Sequence, residues 1–155
     1  MKLSNNFSLK EMTTSQTAER KGINNTPNEA QLLELTKLCG NILQPIRNHY
    51  RTPVTISSGF RSEELCVAIG SSVKSQHAKG QAADFEIFGT SNADLAKWII
   101  ENLDFDQLIL EYHNIGEPNS GWIHCSYKSP ADNRKQTLRA FRNEQGKTQY
   151  AEYNA

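Results

Sequence analysis

The stretch that decides the fold is Ser75-Gln76-His77-Ala78-Lys79-Gly80-Gln81-Ala82-Ala83-Asp84, in the middle of a 155-residue chain. Residues 71–80 are rich in serine, lysine and glycine, which predicts a loop. Residues 82–87 alternate as a strand, with Asp84 on one face and Phe85 on the other. The small residues between His77 and Asp84 let the backbone come close to a site. We therefore expect His77 to enter from a loop beside the strand that carries Asp84.

A second histidine lies in the segment Trp122-Ile123-His124-Cys125-Ser126, within a strand predicted over residues 121–127. Alternation places His124 on the face opposite Ile123 and Cys125. In the same way, a strand over residues 107–112 presents Glu111 on its polar face. Three strands thus each offer a metal-binding or acid–base side chain on one surface. We expect this surface to form the floor of a cleft and the other surface to face the core.

Two imidazoles and one carboxylate form a ligand set that leaves a zinc ion one coordination position short. That position can hold a water, and zinc makes such a water nucleophilic at neutral pH. His77, Asp84 and His124 are therefore predicted to bind one Zn²⁺ in a hydrolase. Taken singly, each has a simpler role, because strand histidines are more often hydrogen-bonded or exposed and Asp84 can cap a turn. Glu111 can be a solvated sheet residue.

The remaining pattern predicts one α+β domain over residues 1–155, with helices packed on one side of an antiparallel sheet. Residues 1–26 are expected to form a polar surface segment with one short helix. The next helix should be kinked or ended by Pro45. The other predicted helices cover residues 62–69 and 91–102, and a further strand covers residues 54–58. Residues 137–153 are expected to form a closing hairpin.

Composition restricts the partners and the location. Lys+Arg and Asp+Glu both number 17, so a neutral chain has no general attraction to nucleic acid or an anionic membrane. We expect no nucleic-acid or membrane partner and a monomer. Residues 1–10 lack an apolar signal-peptide core, so we expect synthesis in the cytoplasm and action after lysis, injection or non-classical release. The three cysteines show no zinc-binding spacing and are expected to be reduced and partly buried.

The motif Ser-x-His-x-x-Gly-x-Ala-x-Asp, from Ser75 to Asp84, resembles that of the zinc D-Ala-D-Ala carboxypeptidase (M15-type) family. This group includes phage cell-wall endopeptidases and vancomycin-resistance dipeptidases, and the Hedgehog signalling domain shares its fold. The Trp-Ile-His-Cys-Ser run around His124 is the companion motif, and residues 57–62 resemble the family's arginine turn. Residues 6–12 and 102–107 resemble the phage-type, single-domain branch. The resemblance covers roughly residues 5 to 150.

The resemblance implies that His77, Asp84 and His124 are zinc ligands and that Arg61 binds a substrate carboxylate or stabilises the oxyanion. Ser75 matches a motif serine that supports the loop or the substrate. In the family the general base is a glutamate, often three residues before the last histidine, where this chain has Gly121. Glu111 is the replacement that we predict. His113 is the competing candidate, because it can either be exposed or line the cleft as a second acid–base group.

The implied activity is zinc-dependent hydrolysis of amide bonds in peptidoglycan stem peptides or cross-links. Both a D-Ala-D-Ala carboxypeptidase and an endolysin-type endopeptidase use this chemistry, so the sequence leaves the scissile bond open. A zinc-stabilised binding module of the Hedgehog-like fold, without activity, is the alternative. A third possibility is a structural phage component, which would bind no metal.

Overall fold

Eight β-strands and six α-helices make up the computed structural model, which describes residues 1–155. The strands are β1 (Lys2–Ser4), β2 (Phe7–Ser8), β3 (Thr55–Ser58), β4 (Ala82–Glu86), β5 (Gln107–Glu111), β6 (Trp122–Ser126), β7 (Gln136–Arg142) and β8 (Thr148–Glu152). The helices are α1 (Leu9–Thr13), α2 (Gln16–Lys21), α3 (Glu29–Leu38), α4 (Gln44–Tyr50), α5 (Glu63–Ala68) and α6 (Asn92–Asn102). No helix is both long and apolar enough to cross a membrane.

The main sheet has six strands in the order β3-β4-β6-β5-β7-β8. Its neighbours are antiparallel, as predicted, except for β5 and β7, which run parallel. The α+β fold class is confirmed, and the closing hairpin is present as β7 and β8. The parallel pair arises because the chain leaves β6, passes around the start of β5 and adds β7 on the far side of β5.

The hydrophobic core lies between the helices and one face of this sheet. Residues of α3, α4 and α6 share a buried cluster with Phe85, Leu108 and Ile123 of the central strands. Asp84, His124 and Glu111 alternate with these core residues along the same strands. The face opposite the helices is therefore left for a polar cleft.

In the helical region before β3, regular α-helix is interrupted just before Pro45, and the proline does not end the region. Residues 39–43 form a π turn in which the backbone N–H of Gln44 bonds the carbonyl of Cys39, and α4 then continues to Tyr50. A proline cannot donate the usual helical hydrogen bond. The wide turn places Pro45 in the first turn of a new α-helical segment, where no such donor is needed.

The N-terminal segment is also more ordered than the predicted single surface helix. It forms the β1–β2 hairpin followed by α1 and α2, and Phe7 and Met12 are fully buried in the core. The carbonyl of Met12 accepts a hydrogen bond of 2.7 Å from the backbone N–H of Phe60. Gly59 packs so closely against Met12 that a Cβ there would lie 2.3 Å from that carbonyl oxygen. The segment therefore fixes the turn that leads to Arg61.

Candidate metal centre

The side chains of His77, Asp84 and His124 meet on the polar face of the sheet. One potential ligand atom from each residue lies within 4.8 Å of those of the other two. Asp84 and His124 are directly paired residues of the antiparallel strands β4 and β6. His77 lies in a single 3₁₀ turn, Gln76–Lys79, just before β4. The sequence thus predicted a convergence that the structure contains.

His77 is almost completely buried, with 2% of its surface exposed. Its Nδ1 lies 2.7 Å from the carbonyl oxygen of Gly59, which can only accept, so Nδ1 carries the proton. Burial lowers the pKa of His77, which keeps the ring neutral. Nε2 therefore presents a lone pair, and it has no hydrogen-bond partner although Asp84 Oδ1 lies 3.3 Å away. Two electron-rich atoms face each other across a gap that suits a cation.

Asp84 is the second member of the cluster, and its carboxylate is buried beside both imidazoles. Its Oδ1 lies 3.0 Å from His124 Nδ1. Burial by itself would raise the pKa of Asp84, but contacts that begin with the hydrogen bond from His124 outweigh burial and hold that pKa well below its usual range. The carboxylate is therefore ionised at neutral pH, which is the form that binds metal. A neutral imidazole and an ionised carboxylate fit a divalent cation such as zinc.

Arg61 lies at the edge of the cluster, and both its guanidinium group and its backbone contact cluster residues. Its Nη2 is 3.6 Å from Asp84 Oδ2, and its Nη1 donates to Ser71 Oγ at 3.3 Å. Its backbone N–H bonds the carbonyl of His77 at 3.1 Å. The guanidinium Nε is buried without a partner. Arg61 is thus held beside the Asp84 carboxylate with one donor unused.

Glu111 lines the same cleft as the cluster, on the strand next to β6. Its Oε2 accepts a hydrogen bond of 2.6 Å from the indole N–H of Trp122. Burial raises the pKa of Glu111, and the negative charge of Asp84 raises it further. A carboxylate with a raised pKa, fixed in position near the ionised carboxylate of Asp84, is suited to accept and return a proton.

Gly121 occupies the position where the related family often has its glutamate, and the backbone explains the glycine. Its φ is +70°, and a Cβ there would lie 1.9 Å from the carbonyl oxygen of Glu111. A glutamate at position 121 would therefore require the strands to move apart. Glu111 instead reaches the cleft from the neighbouring strand.

Ser75 and His113 occupy different surroundings. Ser75 lines the cleft, and its Oγ accepts a hydrogen bond of 3.2 Å from the backbone N–H of His77, so it caps the turn that carries the histidine. His113 donates through Nδ1 to the carbonyl of Ser120 at 3.1 Å. It lines neighbouring pockets and not the cleft that contains Asp84. The geometry favours Glu111 over His113 as the base, which stays a prediction.

Sequence reasoning missed part of the cleft wall. Tyr112, Arg142 and Tyr150 line the same cleft of about 560 Å³, and Trp122 lies among them. The alternation that places His124 on the polar face also places Trp122 there, so the position of Trp122 was predictable from the sequence. Arg142 and Tyr150 come from β7 and β8. Parallel pairing places β7 beside β5, and β8 follows on the far side of β7.

The three cysteines take no part in this centre. Cys39, Cys66 and Cys125 are unpaired and buried. Burial raises the pKa of the Cys39 thiol to about 12, and it also raises the pKa of the Cys125 thiol. Such thiols remain protonated at neutral pH and pack as small apolar groups.

The comparison with known proteins agrees with this geometry. A family model described as Peptidase M15 matches residues 5–126, which include the three clustered residues, Arg61 and Glu111. No curated protein matches the chain significantly. The match covers most of the sequence and ends at β6, so β7 and β8 lie beyond it. On the matched residues, this chain belongs to the peptidase M15 family.

Proposed function

We propose that the protein is a zinc-dependent peptidase that hydrolyses amide bonds in peptidoglycan stem peptides or cross-links. The observation that carries the proposal is the unpartnered Nε2 of buried His77, which faces an ionised Asp84 carboxylate with His124 on its other side. A buried polar atom without a partner is costly unless something binds it. Membership of the peptidase M15 family supports zinc as the cation and a peptide as the substrate.

His77, Asp84 and His124 would hold the zinc ion. When bound, zinc supplies Lewis acidity and lowers the pKa of a coordinated water to roughly 7. The hydrogen bond from His77 to Gly59 serves the site by fixing the tautomer that leaves Nε2 free. Arg61 serves it by pairing with the Asp84 oxygen that the imidazoles leave open.

Glu111 is the proposed general base. It accepts a proton from the water that attacks the peptide carbonyl, and it gives that proton to the nitrogen as the carbon–nitrogen bond breaks. The hydrogen bond from Trp122 keeps the carboxylate in one orientation through both transfers. Its raised pKa favours both steps, because a base whose pKa approaches the working pH both takes and returns the proton readily.

Arg61 is proposed to bind the oxygen that becomes negative in the tetrahedral intermediate, or a carboxylate of the substrate. Its unused Nε–H and its position beside Asp84 support this role. Removing one preorganised donor of this kind typically raises the barrier by ~2.7–4 kcal/mol. Ser75 is proposed to act through the turn that it caps, and His113 stays a second candidate for acid–base chemistry.

Digestion of purified peptidoglycan by the zinc-loaded protein tests the proposal. We expect a peptidoglycan suspension to clear, clearing to stop when a chelator removes the metal, and zinc to restore it. Mass spectrometry of the released fragments then identifies the scissile bond and separates a carboxypeptidase from an endopeptidase. Protein that binds zinc stoichiometrically but releases no fragments would instead be the non-catalytic binding module. Protein that binds no metal would refute both proposals.

A further inference from the structure

The wall of the cleft beyond Glu111 consists of neighbouring aromatic rings and ends in an arginine. Trp122 donates to Glu111, and its ring centroid lies 5.3 Å from that of Tyr112. The guanidinium of Arg142 lies over the Tyr112 ring, 4.9 Å from its centroid. All of these residues line the cleft that holds the metal cluster, and exposed Tyr150 lies beside them.

Tyr112 reaches this wall only because its backbone is strained. It directly follows Glu111, so regular alternation would direct its side chain to the opposite face. Its φ is +55°, a left-handed conformation that is rare for a bulky side chain. Its N–H still bonds the carbonyl of Ala140 at 2.9 Å, and its hydroxyl lies 2.6 Å from Thr148 Oγ1. Strain of this kind persists where the surrounding structure enforces it, and it clusters at functional sites.

Arg142 is the cleft cation that no carboxylate neutralises. Arg61 pairs with Asp84, whereas Arg142 makes no salt bridge and donates only to the carbonyl of Gly146, at 3.5 Å. Its guanidinium is exposed, and the Tyr112 ring orients it. An oriented guanidinium with free N–H groups is suited to bind a carboxylate through two parallel hydrogen bonds.

We propose that Tyr112, Trp122 and Arg142 form a subsite for a carboxylate of the peptide substrate, separate from the scissile bond. This inference rests on the proposed function, because it names a feature of the same substrate. Arg142 and Tyr150 belong to the β7–β8 hairpin, beyond the residues that the family model matches. Tyr112 and Trp122, by contrast, lie within the matched residues, so the subsite combines the matched part of the chain with the hairpin. It selects acidic peptides by their affinity and leaves the bond-breaking step unchanged.

A binding experiment without turnover tests the subsite. The probes are a soluble peptide released from peptidoglycan, with its carboxylates free, and the same peptide with its carboxylates converted to carboxamides. Each is titrated calorimetrically into zinc-loaded protein that carries Glu111→Gln. We expect the free peptide to bind more tightly than the amide, and Arg142→Gln to reduce that preference by about three- to tenfold. Both peptides are titrated into the protein with and without Arg142→Gln. The change in the free energy difference between the two peptides then isolates the contact of Arg142 with a carboxylate.

Arg139→Gln is the matched control. Arg139 is also exposed, lies on the same strand and stacks on an aromatic ring, with its guanidinium 4.4 Å from the centroid of Phe141, but it lines a different pocket. This variant should keep the full preference. A preference that survives Arg142→Gln, or the absence of any preference in the parent, would overturn the subsite. Failure of wild-type protein to cut peptidoglycan would overturn the peptidase function separately, because binding is measured without cleavage.

Discussion

At the scale of single residues, Glu111 is the side chain whose chemistry is most open to direct test. We expect Glu111→Gln to retain zinc and to lose about 10²- to 10⁴-fold in kcat, because an amide cannot accept the proton. Glutamine keeps a carbonyl oxygen that can accept the hydrogen bond from Trp122, so the Trp122 side chain should keep its position in the cleft wall. The measurements are the zinc content of the purified variant and its rate of peptidoglycan digestion.

The competing base and an inert glutamate serve as controls for this prediction. His113→Gln should have a small effect, because His113 is engaged with Ser120 outside the cleft. Glu117→Gln, in the exposed loop before β6, should have none. Near wild-type turnover by Glu111→Gln, together with a large loss in His113→Gln, would transfer the role of base to His113.

Gly121 carries a second prediction at this scale, because its backbone conformation excludes a side chain. A Cβ at this position meets the Glu111 carbonyl oxygen at 1.9 Å, in addition to the cost of a left-handed φ. We expect Gly121→Ala to lower the free energy of unfolding by about 1–2 kcal/mol for the φ and by about 1–3 kcal/mol more for the contact. Denaturation in urea measures both contributions together.

Gly116 provides the matched comparison. Its φ is also positive, at +88°, but nothing lies within 4 Å of the position of its Cβ. Gly116→Ala should therefore show only the cost of the φ. Equal losses of stability in the two variants would mean that β5 and β6 separate freely at Gly121, and a glutamate there would then be acceptable.

Some site residues were predictable from the sequence and others were not. Alternation within a strand depends only on local geometry, which is why it placed Asp84, Glu111 and His124 on one surface. The direct pairing of Asp84 with His124 depends on the register between β4 and β6, which two short apolar patterns do not specify. The position of Tyr112 in the cleft was not predictable, because its left-handed φ reverses the face of the sheet that alternation assigns to it.

At the scale of elements, Asp106 explains how the chain passes from β6 to β7. This residue is fully buried just before β5, and Arg134 donates to it from Nε and Nη2 at 3.0 and 2.8 Å. The backbone N–H of Gln136 bonds the carbonyl of Asp106, which starts the parallel pairing. Gln76, next to His77, donates to the same carboxylate at 3.0 Å. The Asp106 side chain thus joins the crossing loop to the turn that carries His77, a proposed metal ligand.

Asp106→Asn tests this junction through its dependence on pH. Burial alone would raise the pKa of Asp106, but hydrogen bonds from Arg134 and Gln76 outweigh burial and lower the pKa to about 2. The ionised carboxylate therefore stabilises the fold above the unfolded-state pKa of 3.8, by about 2 kcal/mol. That contribution is lost as the pH falls from about 4 through the folded pKa of about 2. We expect the variant to be less stable by this amount at pH 7, and the difference to vanish near pH 2.

Asp104→Asn is the control for this variant, because Asp104 is exposed two residues earlier and bonds only Asn133. Its effect at pH 7 should be small. A constant difference between wild type and Asp106→Asn from pH 7 down to pH 2 would show that the carboxylate charge contributes nothing. Thermal denaturation at a series of pH values measures the difference.

The same junction shows why the order of elements was harder to predict than the elements themselves. The turn signals around Gly146 identified the β7–β8 hairpin, because a hairpin is a local structure. Its placement beside β5 involves an ion pair between buried Asp106 and the half-exposed Arg134, which are far apart in the sequence. At Pro45 the local rule for proline predicts a kink or an end of the helix, but it gives no indication of the π turn that accommodates the proline.

At the scale of the whole molecule, the candidate metal centre joins parts of the chain that are far apart. His77 lies in a turn tied to Gly59 and, through Gly59, to Met12 of the N-terminal segment, while Asp84 and His124 lie on central strands. A ligand that binds only the folded state stabilises it by mass action. At free zinc about 100-fold above its Kd, the gain is ~2.7 kcal/mol. This corresponds to a rise of about 5–10 °C in Tm for a chain of this length.

Chelation should reverse that rise, and thermal denaturation with and without free zinc measures it. His77→Gln should denature at the same temperature with and without zinc, because it removes one of the three ligands. His49→Gln is the control, since His49 stacks on Trp98 at 4.4 Å, away from the cluster, and this variant should respond to zinc like wild type. A zinc response that persists in His77→Gln would mean that the ion binds elsewhere. The unpartnered Nε2 would then have to be explained without a metal.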